Sequence, residues 1–143
     1  MEKPESVIFY CLDKAIKSYR QFAQSRLNES GLNITGDQWL IMNVISEDPD
    51  ISQQKIAGKV FKDNASVTRI VELLVKKGYI KRAMLKDDRR RTKLEITKKG
   101  TDLLKAASKV VAAYRRSALK GTNDGELKRV RKVLDIIISN CEN

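Results

Sequence analysis

Apolar residues recur at helical spacing through most of this chain and alternate through one short stretch. Ile8, Leu12, Ala15, Ile16, Tyr19, Phe22, Ala23 and Leu27 fall three and four apart, which predicts a helix over 5–28 with one apolar stripe. Gly31 is its stop signal. Thr35-Gly36-Asp37-Gln38 has the pattern of a capping box, so a second, short helix follows with Trp39, Leu40, Met42, Val44 and Ile45, and Pro49 ends it. Ser52 caps a third helix with Ile56, Ala57 and Val60 inward. After the tight turn Val60-Phe61-Lys62, Asp63 or Asn64 caps a fourth, whose inward stripe is Val67, Ile70, Val71 and Leu74. Gly78 supplies the left-handed residue that closes it. The spacing then changes: Tyr79 to Leu85 reads as a strand and Lys93 to Ile96 as its partner, with a charged loop between them. Thr97 caps a fifth helix with Leu103, Leu104, Ala107, Val110, Val111 and Tyr114 on its apolar face. Gly121 and Gly125 flank a break before a last helix with Leu127, Val130, Leu134, Ile137, Ile138 and Cys141.

This order defines a mainly α fold. A helix-turn-helix followed by a two-stranded β hairpin sits between helices contributed by both termini. Residues 1–34 form the first platform helix, 35–98 the reading head and 99–143 the last two platform helices, all in one integrated domain. Each terminal helix would leave its stripe wet unless it packed on the other or on a second copy of the chain. The expected assembly is therefore a homodimer, with the platform as its interface.

Charge sharpens this picture. The net charge is +11, and 76–99 holds eleven basic against three acidic residues, so +8 of the total lies in one sixth of the chain. A merely soluble surface would spread that charge, whereas a local basic field attracts phosphates. Catalysis has little to work with: there is no histidine, which removes Ser–His and Cys–His dyads and His-based metal sites. Cys11 and Cys141 have no zinc-ligand spacing, and no glycine-rich phosphate loop is present. The expectation is a protein that is not an enzyme and carries no cofactor. No apolar run reaches the roughly 20 residues of a membrane span, and Met1-Glu2-Lys3-Pro4-Glu5 is not a signal peptide, so no membrane contact and a cytoplasmic location are expected.

The expected partner is double-stranded DNA. The fourth helix turns Asn64, Ala65, Ser66, Thr68 and Arg69 away from its apolar stripe. Arg can hold guanine with two bonds, Asn can hold adenine, and Ala or a Thr methyl can touch the methyl of thymine, so this face suits the major groove. Ser52, Gln53, Gln54 and Lys55 open the third helix with hydroxyl, amide and backbone N–H groups suited to phosphates. At the hairpin tip, Arg90 suits the minor groove, where a narrow A·T tract deepens the negative potential. Asp88 can hold the Arg90 guanidinium, and Arg89, Arg91 and Lys93 would lie along phosphates.

Four pieces in order carry a resemblance: Ile34-Thr35-Gly36-Asp37-Gln38-Trp39, Ser66-Val67-Thr68-Arg69, Lys76-Lys77-Gly78-Tyr79-Ile80-Lys81-Arg82, and Asp88-Arg89-Arg90 followed by Leu94-Glu95-Ile96-Thr97-Lys98-Lys99-Gly100. They resemble the MarR family of winged helix-turn-helix regulators over roughly residues 30–100. The resemblance implies an obligate homodimer that binds a pseudo-palindrome in a promoter as a repressor. It implies that Asp88 and Arg90 of the wing read the minor groove. It also implies an effector, such as a small aromatic acid, held between platform and reading head by the first helix, Trp39 and the fifth helix. One branch of the family senses peroxides through a first-helix cysteine bonded to tyrosines, which makes Cys11, near Tyr10 and Tyr19, a redox candidate. The tyrosine spacing and Gly36 depart from that branch, so Cys11 is expected to be a small buried apolar side chain. Two alternatives to a ligand-released repressor stand: a thiol-based repressor using Cys11, and a nonspecific architectural protein that clamps any nucleic acid.

Overall fold

The computed structural model describes residues 3–85 and 88–143, with the side chains of 85–92 excepted. A single 3-10 turn, Pro4–Ser6, leads into α1 (Ile8–Glu29). Then come α2 (Gly36–Glu47), α3 (Gln53–Val60), α4 (Asn64–Lys76), β1 (Ile80–Leu85), β2 (Asp88–Ile96), α5 (Lys98–Ala118) and α6 (Asp124–Glu142). No helix among the described residues is long and apolar enough to cross a membrane.

Helix starts follow from local chemistry. The Thr35 hydroxyl accepts from the backbone N–H of Gln38, and the Gln38 side chain accepts from the backbone N–H of Thr35, which completes the capping box. Ser52, Asp63 and Thr97 each accept from the backbone N–H three residues on. Gly31 and Gly78 take positive φ after α1 and α4. The last break differs from expectation. Gly125 lies inside the first turn of α6, because Asn123 and Glu126 form a second capping box that starts the helix ahead of it. Glycine costs helix interiors about 1 kcal/mol, and a reciprocal cap offsets a cost of that size.

The core lies among α2, α3, α4 and β1. Ile41, Met42 and Ile45 of α2, Ile56 of α3, Val67, Val71 and Leu74 of α4 and Ile80 of β1 are fully buried together. Leu27 of α1 and Val111 of α5 extend the core into the platform. Tyr19 and Tyr114 meet edge to face there, with ring centroids 5.9 Å apart. Burial first, and then the neighbouring Tyr19, push the Tyr114 phenol up to about 12. The fold thus holds the neutral phenol; this contribution is complete below the ordinary tyrosine range near 10 and is lost as pH rises through about 12.

The two strands pair antiparallel, with Ile80 opposite Ile96 and Met84 opposite Thr92. The next pair is Leu85 with Asp88, so the register jumps between Met84 and Leu85. Arg89, Arg90 and Arg91 are carried in that irregular step. The second strand therefore starts well before the expected Lys93. Apolar alternation stops at the sheet's wet end, whereas backbone pairing does not need it.

The platform is only half covered. α1 packs against α5, with Tyr19 on Tyr114, and its second half buries Ala23 and Leu27, but Ile8, Phe9, Tyr10 and Ile16 of its first half are exposed. α6 buries no residue, and Val130, Val133, Ile136 and Ile138 lie open to solvent.

Candidate nucleic-acid interface

α3 and α4 meet across the turn at Phe61, which takes φ 59° and ψ 40°. A left-handed residue with a Cβ costs about 1–2 kcal/mol, and the turn accepts that cost to bring Asp63 into capping position. The side chain of Phe61 is 87% exposed. Lys62 beside it reaches back to Asp37 of α2 at 3.1 Å.

Asp63 sets the front end of α4. Its carboxylate accepts from the Ser66 backbone N–H at 2.7 Å. That bond, and then the Ser66 hydroxyl, hold the carboxyl below its usual range. A lowered carboxylate contributes stability above the unfolded value and loses it as pH falls through the folded one, so this cap fails in acid. Asn64, Ala65 and Arg69 are exposed, and Ser66 and Thr68 are half-buried. Arg69 donates to the Ser66 hydroxyl at 3.2 Å, which lays its guanidinium along the helix front. The Thr68 hydroxyl is already engaged within the chain: it donates to the Asn64 carbonyl at 2.8 Å and accepts from the Gln53 amide at 2.6 Å. Of the five residues expected on this face, Thr68 therefore has its hydroxyl proton committed to its own chain.

At the start of α3, Ser52 is committed as a cap and accepts from the Lys55 N–H at 3.2 Å. Gln54 and Lys55 are exposed, and Gln53 is half-buried against Thr68. The expected wing side chains of Asp88, Arg89, Arg90 and Arg91 lie outside the described residues, whose backbone here runs within β2. Lys93 is described, and its Nζ pairs with Asp50 of the α2–α3 loop at 3.4 Å. This pairing ties the base of the wing to the helix-turn-helix, and sequence reasoning missed it. Exposed ion pairs are worth 0–1 kcal/mol at most, so phosphate can compete for Lys93. Asp50→Asn is expected to tighten DNA binding at low salt and to steepen the slope of log K against log salt by about one. An unchanged slope in a salt titration by fluorescence anisotropy would show that the Asp50 pair does not hold Lys93 away from phosphate.

Cys11 is exposed, not buried as expected, and its Sγ lies 3.5 Å from the Glu5 carbonyl. The reason is positional. α1 reaches the core only through its second half, and Cys11 belongs to the first. Cys141 is exposed too. At the junction of platform and head, the Arg115 guanidinium sits 5.3 Å from the centre of the Trp39 ring. Trp39 Nε1 is buried there with no hydrogen-bond partner among the described residues.

A helix-turn-helix whose second helix displays a polar front, followed by a two-stranded wing, defines a winged helix-turn-helix head. The family model described as the MarR family matches residues 34–92. The putative transcriptional regulatory protein for the hcr operon of Thauera aromatica is 31% identical over 122 residues, spanning 80% of this chain and 72% of that protein. Among solved structures, BpsR of Bordetella bronchiseptica, from work on the regulation of its DNA binding by 6-hydroxynicotinic acid, superposes with TM-score 0.85 at 17% identity, covering 96% of each chain. A mutant MarR of E. coli complexed with operator DNA superposes with TM-score 0.83 at 18% identity, covering 94% of this chain and 96% of that one. The chain belongs to the MarR family of transcriptional regulators.

Proposed function

We propose that the chain is a homodimeric repressor that reads a pseudo-palindromic operator and is released by a small ligand. It acts in the cytoplasm and catalyses no reaction. The observation that carries this reading is the α4 front, where Asn64, Ala65 and Arg69 stand exposed on a helix followed in sequence by the most basic segment of the chain, 76–99. In this reading residues 35–98 form the reading head, with 1–34 and 99–143 as the platform. Asn64, Ala65, Ser66 and Arg69 meet base edges with the Thr68 methyl, while Ser52, Gln54 and Lys55 meet phosphates. Asp88 and Arg90 enter the minor groove, flanked by Arg89, Arg91 and Lys93 on phosphates.

Surface area supports the dimer. A compact monomer of 16.3 kDa would expose about 7,500 Å², yet this chain exposes 10830 Å². An excess of roughly 3,000 Å² per chain, about 6,000 Å² for two chains, is of the order that large obligate homodimers bury in total, and the exposed apolar residues of α1 and α6 contribute to it. For the effector, the regulation of BpsR by 6-hydroxynicotinic acid supports a small ligand, which this reading places between head and platform. The buried Trp39 Nε1, which has no hydrogen-bond partner among the described residues, and the nearby Arg115 would supply a donor and a cation there.

Arg90→Ala is expected to weaken operator binding by about 1–3 kcal/mol, as loss of one specific groove contact does. Footprinting on the promoter of its own gene tests the reading: the account expects a bounded, symmetric protected site. Even protection along random duplex would favour the architectural protein instead.

A further inference from the structure

We propose that Gln53 reads an adenine in the operator and that Thr68 positions it, an inference that rests on the DNA-reading function proposed above. Gln53 opens α3, where a phosphate contact is the first expectation. Its hydrogen bonds point elsewhere. The Gln53 Nε2 donates to Thr68 Oγ1 at 2.6 Å, and Thr68 Oγ1 donates to the Asn64 carbonyl at 2.8 Å. A hydroxyl has one proton. With that proton committed to Asn64, the Thr68 oxygen can only accept from Gln53. The amide is thereby fixed with nitrogen toward Thr68 and Oε1 away from it, an orientation set by the network rather than chosen.

Among the described residues Gln53 makes no other side-chain hydrogen bond; with the Thr68 bond made by the N–H that points away from Oε1, the second N–H and Oε1 stay available side by side. The major-groove edge of adenine offers the complement, an acceptor at N7 and a donor at N6. Phosphate offers acceptors alone: it would use the N–H and set Oε1 against an anionic oxygen. Place agrees with chemistry. Thr68 lies one turn into α4, directly after Asn64 on the same face and beside the exposed Ala65 and Arg69. The amide is anchored to the front of the helix expected in the groove. Ser52, Gln54 and Lys55 occupy the rim. The anchor also restrains a long side chain before DNA arrives, so less rotamer freedom is lost on binding. Thr68 acts through Gln53 and is a positioning residue.

The test begins with duplexes selected by the wild-type chain from a random pool, followed by substitution of each base pair in turn. Wild type is expected to lose roughly tenfold in affinity on replacement of one A·T pair per half-site. It should lose a similar factor when that adenine becomes 7-deazaadenine, which lacks only the N7 acceptor. Gln53→Ala should bind the original and both altered duplexes alike while still discriminating at every other position. Thr68→Val, which removes the hydroxyl and keeps the shape, should blunt discrimination at the same pair, and Thr68→Ser should restore it. Thermal melts establish that each variant is folded. If Gln53→Ala weakens all duplexes by one common factor, the residue touches phosphate and the inference is overturned while the function stands. A wild-type chain that selects no sequence overturns both.

Discussion

Gly100→Ala is expected to destabilise the folded chain by about 3 kcal/mol or more, in the range of severe core mutations. The usual effect of this substitution inside a helix is the reverse, a gain of roughly 1 kcal/mol, so the sign alone is informative. The reason is a crossing of main chains. A Cβ on Gly100 would collide with the Tyr79 carbonyl oxygen and lie 2.9 Å from Cγ2 of Ile96. The oxygen belongs to backbone and cannot rotate away. Gly100 is buried where three elements converge. The Thr97 hydroxyl donates to the Gly78 carbonyl at 2.6 Å and accepts from the Gly100 N–H at 3.0 Å. Lys99 Nζ donates to the Lys77 carbonyl at 2.8 Å and lies 5.0 Å from the centre of the Tyr79 ring. The end of α4, the foot of the wing and the start of α5 are thus joined at one point, and α5 continues into the platform. Urea denaturation would measure the effect: a markedly lower midpoint with unchanged slope is expected, and a midpoint at or above wild type would refute the crossing.

Val133→Asp combined with Ile136→Asp is expected to yield a folded monomer whose operator affinity is down by about a hundredfold or more, because joining two half-site contacts multiplies affinity by 10²–10⁴. Both residues are about half exposed on α6, at 53% and 52%, and α6 buries nothing within its own chain. The substitutions therefore spare the monomer core and place unpaired charges in the proposed interface. Sedimentation with a gel shift reads both consequences. A doubly substituted chain that stays dimeric would move the interface off this face. A monomer that binds as tightly as wild type would remove the need for a dimer.

What the sequence made legible was local. Thr35, Ser52, Asp63 and Thr97 announce helix starts because a cap and its target lie three residues apart in one segment. The stripe Val67, Val71, Leu74 marks the buried face of α4 for the same reason. Features made by distant segments were not legible. Thr68 and Gln53 are both polar residues near helix starts, and only the packing of α3 on α4 turns one toward the other. Lys93 looks like any cation on a basic hairpin until the α2–α3 loop brings Asp50 to it. Cys11 precedes Leu12 of the α1 apolar stripe, and a stripe does not state whether its cover comes from the same chain. The glycine pair near 121 and 125 misled in the opposite direction, since an Asn123–Glu126 cap outweighs one glycine in the first turn.

Binding stoichiometry on a single operator duplex, measured by sedimentation together with the footprint, tests the central claim most directly. The account predicts two chains per duplex, with protection symmetric about a centre and half-sites one helical turn apart, about 10–10.5 bp, or a multiple of it. One chain per duplex, or protection without a centre, would contradict it.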